Sequence, residues 1–135
     1  MKTLIEQYIV NNHFGKMLGM DFEVKESGCV HYKLKITHDH LATPLAAHGG
    51  VISALMDALL GVGALSVASA ENKVVSTIEF KINFLSPAFL NDELIGISKM
   101  EQKGNRLIIM SGDIICPLRE NIIIAKAIGT FNAYP

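Results

Sequence analysis

HGGVISALMDALLGVGALSVA, residues 48–68, holds one acidic side chain in an otherwise apolar and small-residue run. From Val51 to Ala68 only Ser53, Asp57 and Ser66 interrupt the apolar side chains, a length and character that fit a helix enclosed by protein or by lipid. Lipid is disfavoured. A carboxylate near the middle of a bilayer is costly, and neither flank carries the Lys or Arg that normally fixes orientation. The stretch is therefore predicted to be the core helix of a domain.

Gly49, Ser53, Asp57 and Gly61 recur every four residues, so on a helix they form one slanting ridge of small side chains with the carboxylate inside it. A carboxylate among apolar neighbours costs several kcal/mol unless it is hydrogen-bonded, paired or facing water, on the order of a whole domain's margin. Asp57 lies about two turns inside the helix, beyond the free amides of the first turn, so capping does not account for it. A functional role does. If the helix begins near Gly49, the amides of Gly49, Gly50 and Val51 lack intrahelical acceptors and stand at the positive end of the dipole, where they can hold an oxyanion. Glycine there lets a reacting carbonyl approach the backbone, and His48 just before it is a further donor or ligand-orienting group.

Gly50 and Asp57 are seven residues apart, on nearly one face but ~10 Å apart along the axis. A single helix cannot bring both to one carbonyl carbon. Two antiparallel copies about a twofold axis can, which predicts an obligate homodimer with two sites at its interface.

Around this helix the pattern is that of strands. Val30, Tyr32, Leu34 and Ile36 alternate with His31, Lys33, Lys35 and Thr37, and Asp21 to Lys25 is placed to pair with them. Extended stretches follow at Lys73 to Ser86, Glu93 to Lys103, Arg106 to Cys116 and Asn121 to Ala133. Gly104-Asn105 reads as a tight hairpin turn and Pro117 to Asn121 as a polar turn, links short enough to force antiparallel neighbours. Ile78, Phe80, Ile82 and Phe84 would face the helix, and strict alternation puts Thr77 on the opposite face with Glu79 and Lys81. At the start, Leu4, Ile5, Tyr8 and Ile9 suggest a short amphipathic helix from Thr3 to Asn12. The fold class is α+β, one antiparallel sheet around one long helix, and the 135 residues form a single domain with no repeat or linker.

With 12 basic and 13 acidic residues and a formal charge of −1, the chain lacks the positive footprint that nucleic acid or an anionic membrane would need. Neither is an expected partner. The first residues carry an acid and amides where a secretion signal needs an apolar core, and Cys29 and Cys116 read as buried thiols, so the expected compartment is the cytoplasm.

HGGVISALMDALLG at 48–61 and STIEFKINFLSPA at 76–88, with LGMDFEV at 18–24 in support, resemble the hotdog-fold thioesterases, in particular the branch of the phenylacetate-pathway enzyme. The resemblance covers most of the chain. It implies a long helix wrapped by an antiparallel sheet, a homodimer with a continuous sheet, often a dimer of dimers, and hydrolysis of an acyl-CoA without any cofactor. It also implies roles: general base or nucleophile for Asp57, polarisation of the thioester carbonyl by the amide of Gly49 or Gly50, and water positioning by Thr77. Ala42 and Leu45 stand where the family commonly has asparagine and glycine, which leaves Thr43 or His40 to position water. Arg106, with Lys103 and Lys126, is a candidate for the phosphates of CoA. Two other readings compete: a non-catalytic acyl-CoA or lipid-binding module on the same fold, and a metal site built from His38, Asp39, His40 and His48. The second is the weaker, because clustered loop histidines are usually solvated.

Overall fold

Thr3 opens the chain's first helix by accepting from the Glu6 amide while the Glu6 carboxylate accepts from the Thr3 amide, both at 3.1 Å, a reciprocal capping box. The computed structural model describes residues 1–135. Helix α1 (Leu4–Asn11) is followed by α2 (His13–Leu18), β1 (Asp21–Glu26), β2 (Cys29–Lys35), the long helix α3 (Gly49–Ala68), β3 (Val74–Phe84), β4 (Glu93–Lys103), β5 (Leu107–Cys116) and β6 (Ile122–Tyr134). α2 was not anticipated. Asn11-Asn12 reads as a stop, yet the Asn12 side chain accepts from the Gly15 amide and starts a new helix, which Gly19 ends in the left-handed conformation at φ 84°.

The strands form one sheet in the order β1-β2-β4-β5-β6-β3, and every neighbouring pair is antiparallel. α3 lies across its concave face, burying Leu55, Met56, Leu59 and Leu60 completely against the inward side chains of the strands. This is the hotdog arrangement. Helix and sheet touch closely: a methyl at Gly112 would stand 2.9 Å from Leu59 and from Leu60, and one at Gly63 would stand 2.9 Å from Ser98 Oγ. At full burial Leu59 alone is worth about 1.5–3 kcal/mol, so the apolar run of α3 is used as core and not as a bilayer span, although its length and hydropathy suit either.

Two local departures from the sequence reading have physical causes. Gly104, Asn105 and Arg106 together link β4 to β5, and neither Gly104 nor Asn105 takes the positive φ of a two-residue hairpin turn. β3 contains a bulge: Thr77 pairs with Phe131 and Glu79 with Thr130, so Ile78 is an extra residue. Gly129 accepts this distortion, since a methyl there would meet the Glu79 carbonyl oxygen at 2.8 Å.

Candidate active site

The bulge decides where Thr77 points. Without it, alternation would carry Thr77 to the outer face with Glu79 and Lys81; the inserted Ile78 restores Thr77 to the face that Phe80 and Ile82 share, opposite the fully buried Phe131. There its hydroxyl donates to Asp57 Oδ1 at 2.8 Å, joining the third turn of α3 to the edge strand. The expectation from strict alternation is corrected. The hydrogen bond holds the carboxylate in one orientation and leaves Oδ2 without a partner in the chain.

Asp57 and Thr77 open onto a cavity of about 450 Å3 between α1, α3 and β3. Its apolar wall includes Ala54, Ala58, Leu65 and Phe131, and its polar wall includes Gln7, Tyr8, Asn11 and Asn12 from the N-terminal helices. Asp57 is thus half-buried, not enclosed as its neighbours in sequence imply. The rest of the ridge shares that openness: Ser53 and Gly61 are half-buried and Gly49 is exposed, so the chain covers none of it fully. The α1 residues escaped the sequence reading, because Tyr8 reads as one more apolar position of an amphipathic turn.

At the helix entrance the three amides differ. Gly50 donates to His48 Nδ1 at 2.8 Å, Val51 donates to the His48 carbonyl at 3.0 Å, and Gly49 has no acceptor in the chain. His48 is therefore the N-cap of α3 and accepts through Nδ1, which leaves Nε2 as the ring's donor. Because Nδ1 accepts, its ring proton sits on Nε2. The His48 ring also explains Gly50, since a methyl there would stand 3.0 Å from Nδ1. Val51 borders a shallow recess with Gly50, His48 and Phe14 at the same end.

Other candidates are committed elsewhere. Thr43 Oγ1 accepts from the amides of Ala46 at 2.9 Å and Leu45 at 3.4 Å, closing its own turn. His40 is 3% exposed; its Nδ1 accepts from the Thr37 amide at 3.0 Å and its Nε2 donates to the Leu18 carbonyl at 2.7 Å. The Thr43 O–H is not used within the chain, whereas both ring nitrogens of His40 are consumed, which leaves it no group to hold a water. For the same reason His38, Asp39, His40 and His48 do not gather as a ligand set, and no group of three such side chains is placed to hold a metal. Arg106 is exposed in the β4–β5 connection and does not line the Asp57 cavity. Lys103 and Lys126 are paired with Glu71 at 2.7 Å and Asp113 at 2.8 Å. Cys29 and Cys116 are free, and only Cys116 is fully buried.

The sequence pattern of the thioesterase superfamily matches residues 46–118, which contain His48, the glycines, Asp57 and Thr77. The chain belongs to the thioesterase superfamily. Among solved structures, the PaaI protein of the Escherichia coli phenylacetic acid degradation operon matches with TM-score 0.88 at 19% identity, over 97% of this chain and 91% of that one. A thioesterase of Haemophilus influenzae matches with TM-score 0.84 at 18% identity, over 99% and 92%. A hypothetical thioesterase of Streptococcus pneumoniae solved with coenzyme A matches with TM-score 0.76 at 24% identity, over 85% of each chain. No curated protein sequence matches. At these identities the structural likeness establishes the hotdog fold, and the superfamily match identifies the lineage to which the Asp57 arrangement belongs.

Proposed function

We propose that the chain is an acyl-CoA thioesterase, a single-domain hydrolase that cleaves an acyl-CoA to free acid and CoA with Asp57 as general base or nucleophile. The observation that carries the reading is the Asp57 carboxylate, oriented by Thr77 at 2.8 Å and open on its other oxygen to a cavity large enough for an acyl group. In the general-base route, water attacks the thioester carbonyl while Asp57 takes its proton; the oxyanion then collapses, the C–S bond breaks, and the departing thiolate recovers that proton. In the nucleophilic route Asp57 attacks, CoA leaves, and water opens the resulting anhydride. Superfamily membership and the coenzyme A in a structural relative support CoA as the carrier.

The oxyanion donor is an amide of Gly49 or Gly50 from a second copy of the chain. Within one copy the entrance lies ~10 Å along the axis from Asp57, and Gly49 is the amide there with no acceptor of its own. The uncovered ridge and the unpaired edge strand β3, with Ile78 55% and Phe84 54% exposed, are the surfaces through which a homodimer would form. A dimer of dimers in the cytoplasm, acting without a cofactor, completes the reading.

A second reading has one observation in its favour. His48 already occupies the Gly50 amide, which suits a hotdog module that binds acyl-CoA without turning it over. Hydrolysis assays across short, long and aromatic acyl-CoAs, run beside Asp57→Asn and beside sedimentation of the protein, separate the two. Tight binding with no turnover of any substrate selects the binding module, and an active monomer removes the shared site.

A further inference from the structure

Tyr8 projects from α1 into the cavity that Asp57 and Thr77 also line. It lies outside residues 46–118, the segment that carries the superfamily pattern and holds Asp57 and Thr77, so it is a contribution of the N-terminal helix to their site. Its ring is held from behind. Phe22 stands 6.0 Å from it at an interplanar angle of 58°, and Tyr32 stands 5.1 Å beyond Phe22, a chain of aromatic contacts that fixes where the Tyr8 hydroxyl points.

The Tyr32 hydroxyl is completely buried and has no hydrogen-bond partner, a state that costs ~1–3 kcal/mol and calls for an explanation. Burial, and after it Tyr8, raise the pKa of Tyr32 while Asn12 lowers it, and Tyr8 and Asn12 both line the cavity. Tyr32 bonds to neither of them in this structure, and the Tyr8 hydroxyl likewise has no partner in the chain. The Tyr8 O–H is therefore free to serve the cavity that its ring lines.

We propose that Tyr8 is a positioning residue for hydrolysis, its hydroxyl donating to the attacking water while Asp57 Oδ2 accepts from it. The inference rests on the proposed thioesterase reaction and adds a third fixed point to it. Water in the cavity would then be bounded by an acceptor at Asp57, a donor at Tyr8 and the thioester carbon. Burial raises the pKa of Tyr8, Tyr32 opposes the shift and the charge of Asp57 adds to it, so the hydroxyl stays protonated and able to donate near neutral pH. The pKa of Tyr32 is raised too, chiefly by burial, so the ring behind Tyr8 stays neutral.

Steady-state kinetics on the full-length protein test this with four forms: wild type, Asp57→Asn, Tyr8→Phe and Tyr32→Phe. Tyr8→Phe keeps the ring contacts on Phe22, and kcat is expected to fall about tenfold with KM and melting temperature nearly unchanged, about 1.4 kcal/mol of transition-state stabilisation. Tyr32→Phe, which removes an unpartnered hydroxyl and keeps the ring behind Tyr8, is expected to leave kcat close to wild type and the melting temperature equal or higher. A Tyr8→Phe enzyme with wild-type kcat, or one altered only in KM, overturns the inference while an impaired Asp57→Asn leaves the thioesterase reading standing. An Asp57→Asn enzyme as active as wild type overturns both.

Discussion

The two long faces of α3 treat polar groups in opposite ways. On the sheet side Ser98, 2% exposed, accepts from the Val30 amide at 2.9 Å and donates to the Gly28 carbonyl at 2.8 Å, so both of its capacities are spent inside the fold. On the ridge side Asp57 has one oxygen bound by Thr77 and the other unpartnered, beside a cavity and a row of small residues that nothing in the chain covers. One face is finished within a single copy and the other is not. A buried polar group that only holds a fold is satisfied by that fold, whereas one kept for chemistry retains an unused capacity and space in front of it. The contrast separates a satisfied polar group in β4 from an unsatisfied one in α3, on opposite sides of the same helix.

The contrast is broken most severely at Asp57. Asp57→Asn keeps shape and the Thr77 contact but removes the base, and kcat for acyl-CoA hydrolysis is expected to fall by about 10²- to 10⁴-fold with little change in melting temperature. Equal rates for wild type and variant refute the catalytic assignment. Leu59→Ala tests the finished face. Leu59 is wholly buried between Gly96 and Gly112, where the sheet backbone cannot move in to fill the gap, so the loss should be about 2–5 kcal/mol by denaturant titration. A loss below about 1 kcal/mol would show that the helix settles onto the sheet after all. The kinetic effect of Leu59→Ala in the folded fraction should be slight, and that of Asp57→Asn on stability should be slight as well.

Much of this division was legible before any coordinates. An apolar run of helical length with one acid, glycines at its head and alternating strands after it fixes the core helix, the sheet around it and Asp57 as the residue without a structural reason. Three features were not legible. The bulge at Ile78 turns Thr77 inward through backbone pairing with β6, which no period-two reading of β3 contains. The His48 ring spends its acceptor on the Gly50 amide, a choice set by side-chain rotation and not by the order His-Gly-Gly. The second helix follows Asn12 because an asparagine that ends one helix also caps the next, and it brings Phe14 to the cavity. His40 is unavailable for a similar reason: nearby backbone groups claim both of its ring nitrogens.

Smaller changes sharpen the comparison at its edges. Thr77→Val preserves the β-branched shape in β3 and removes only the bond to Asp57, so the carboxylate gains rotational freedom and kcat is expected to drop about tenfold. Thr77→Ser, which keeps the donor, should stay within about threefold of wild type. If valine and serine behave alike, the 2.8 Å bond is a packing contact and Thr77 belongs with the finished face.

The smallest effect is expected at His48, where two consequences oppose each other. His48→Ala deletes the N-cap of α3 and should lower stability by about 1 kcal/mol, read as a modest fall in melting temperature. The same change releases the Gly50 amide from Nδ1 and returns it to the pool of donors at the helix entrance, beside the free amide of Gly49. If Gly50 is the amide that holds the oxyanion, the variant should hydrolyse at least as fast per folded molecule as wild type, because a competing acceptor has gone. If Gly49 is that amide, the rate should instead fall slightly with the loosened first turn. A large drop in kcat with unchanged stability would contradict both outcomes and would make His48 a direct partner of the substrate, moving the entrance of α3 from the capped, structural side of the comparison to the open one.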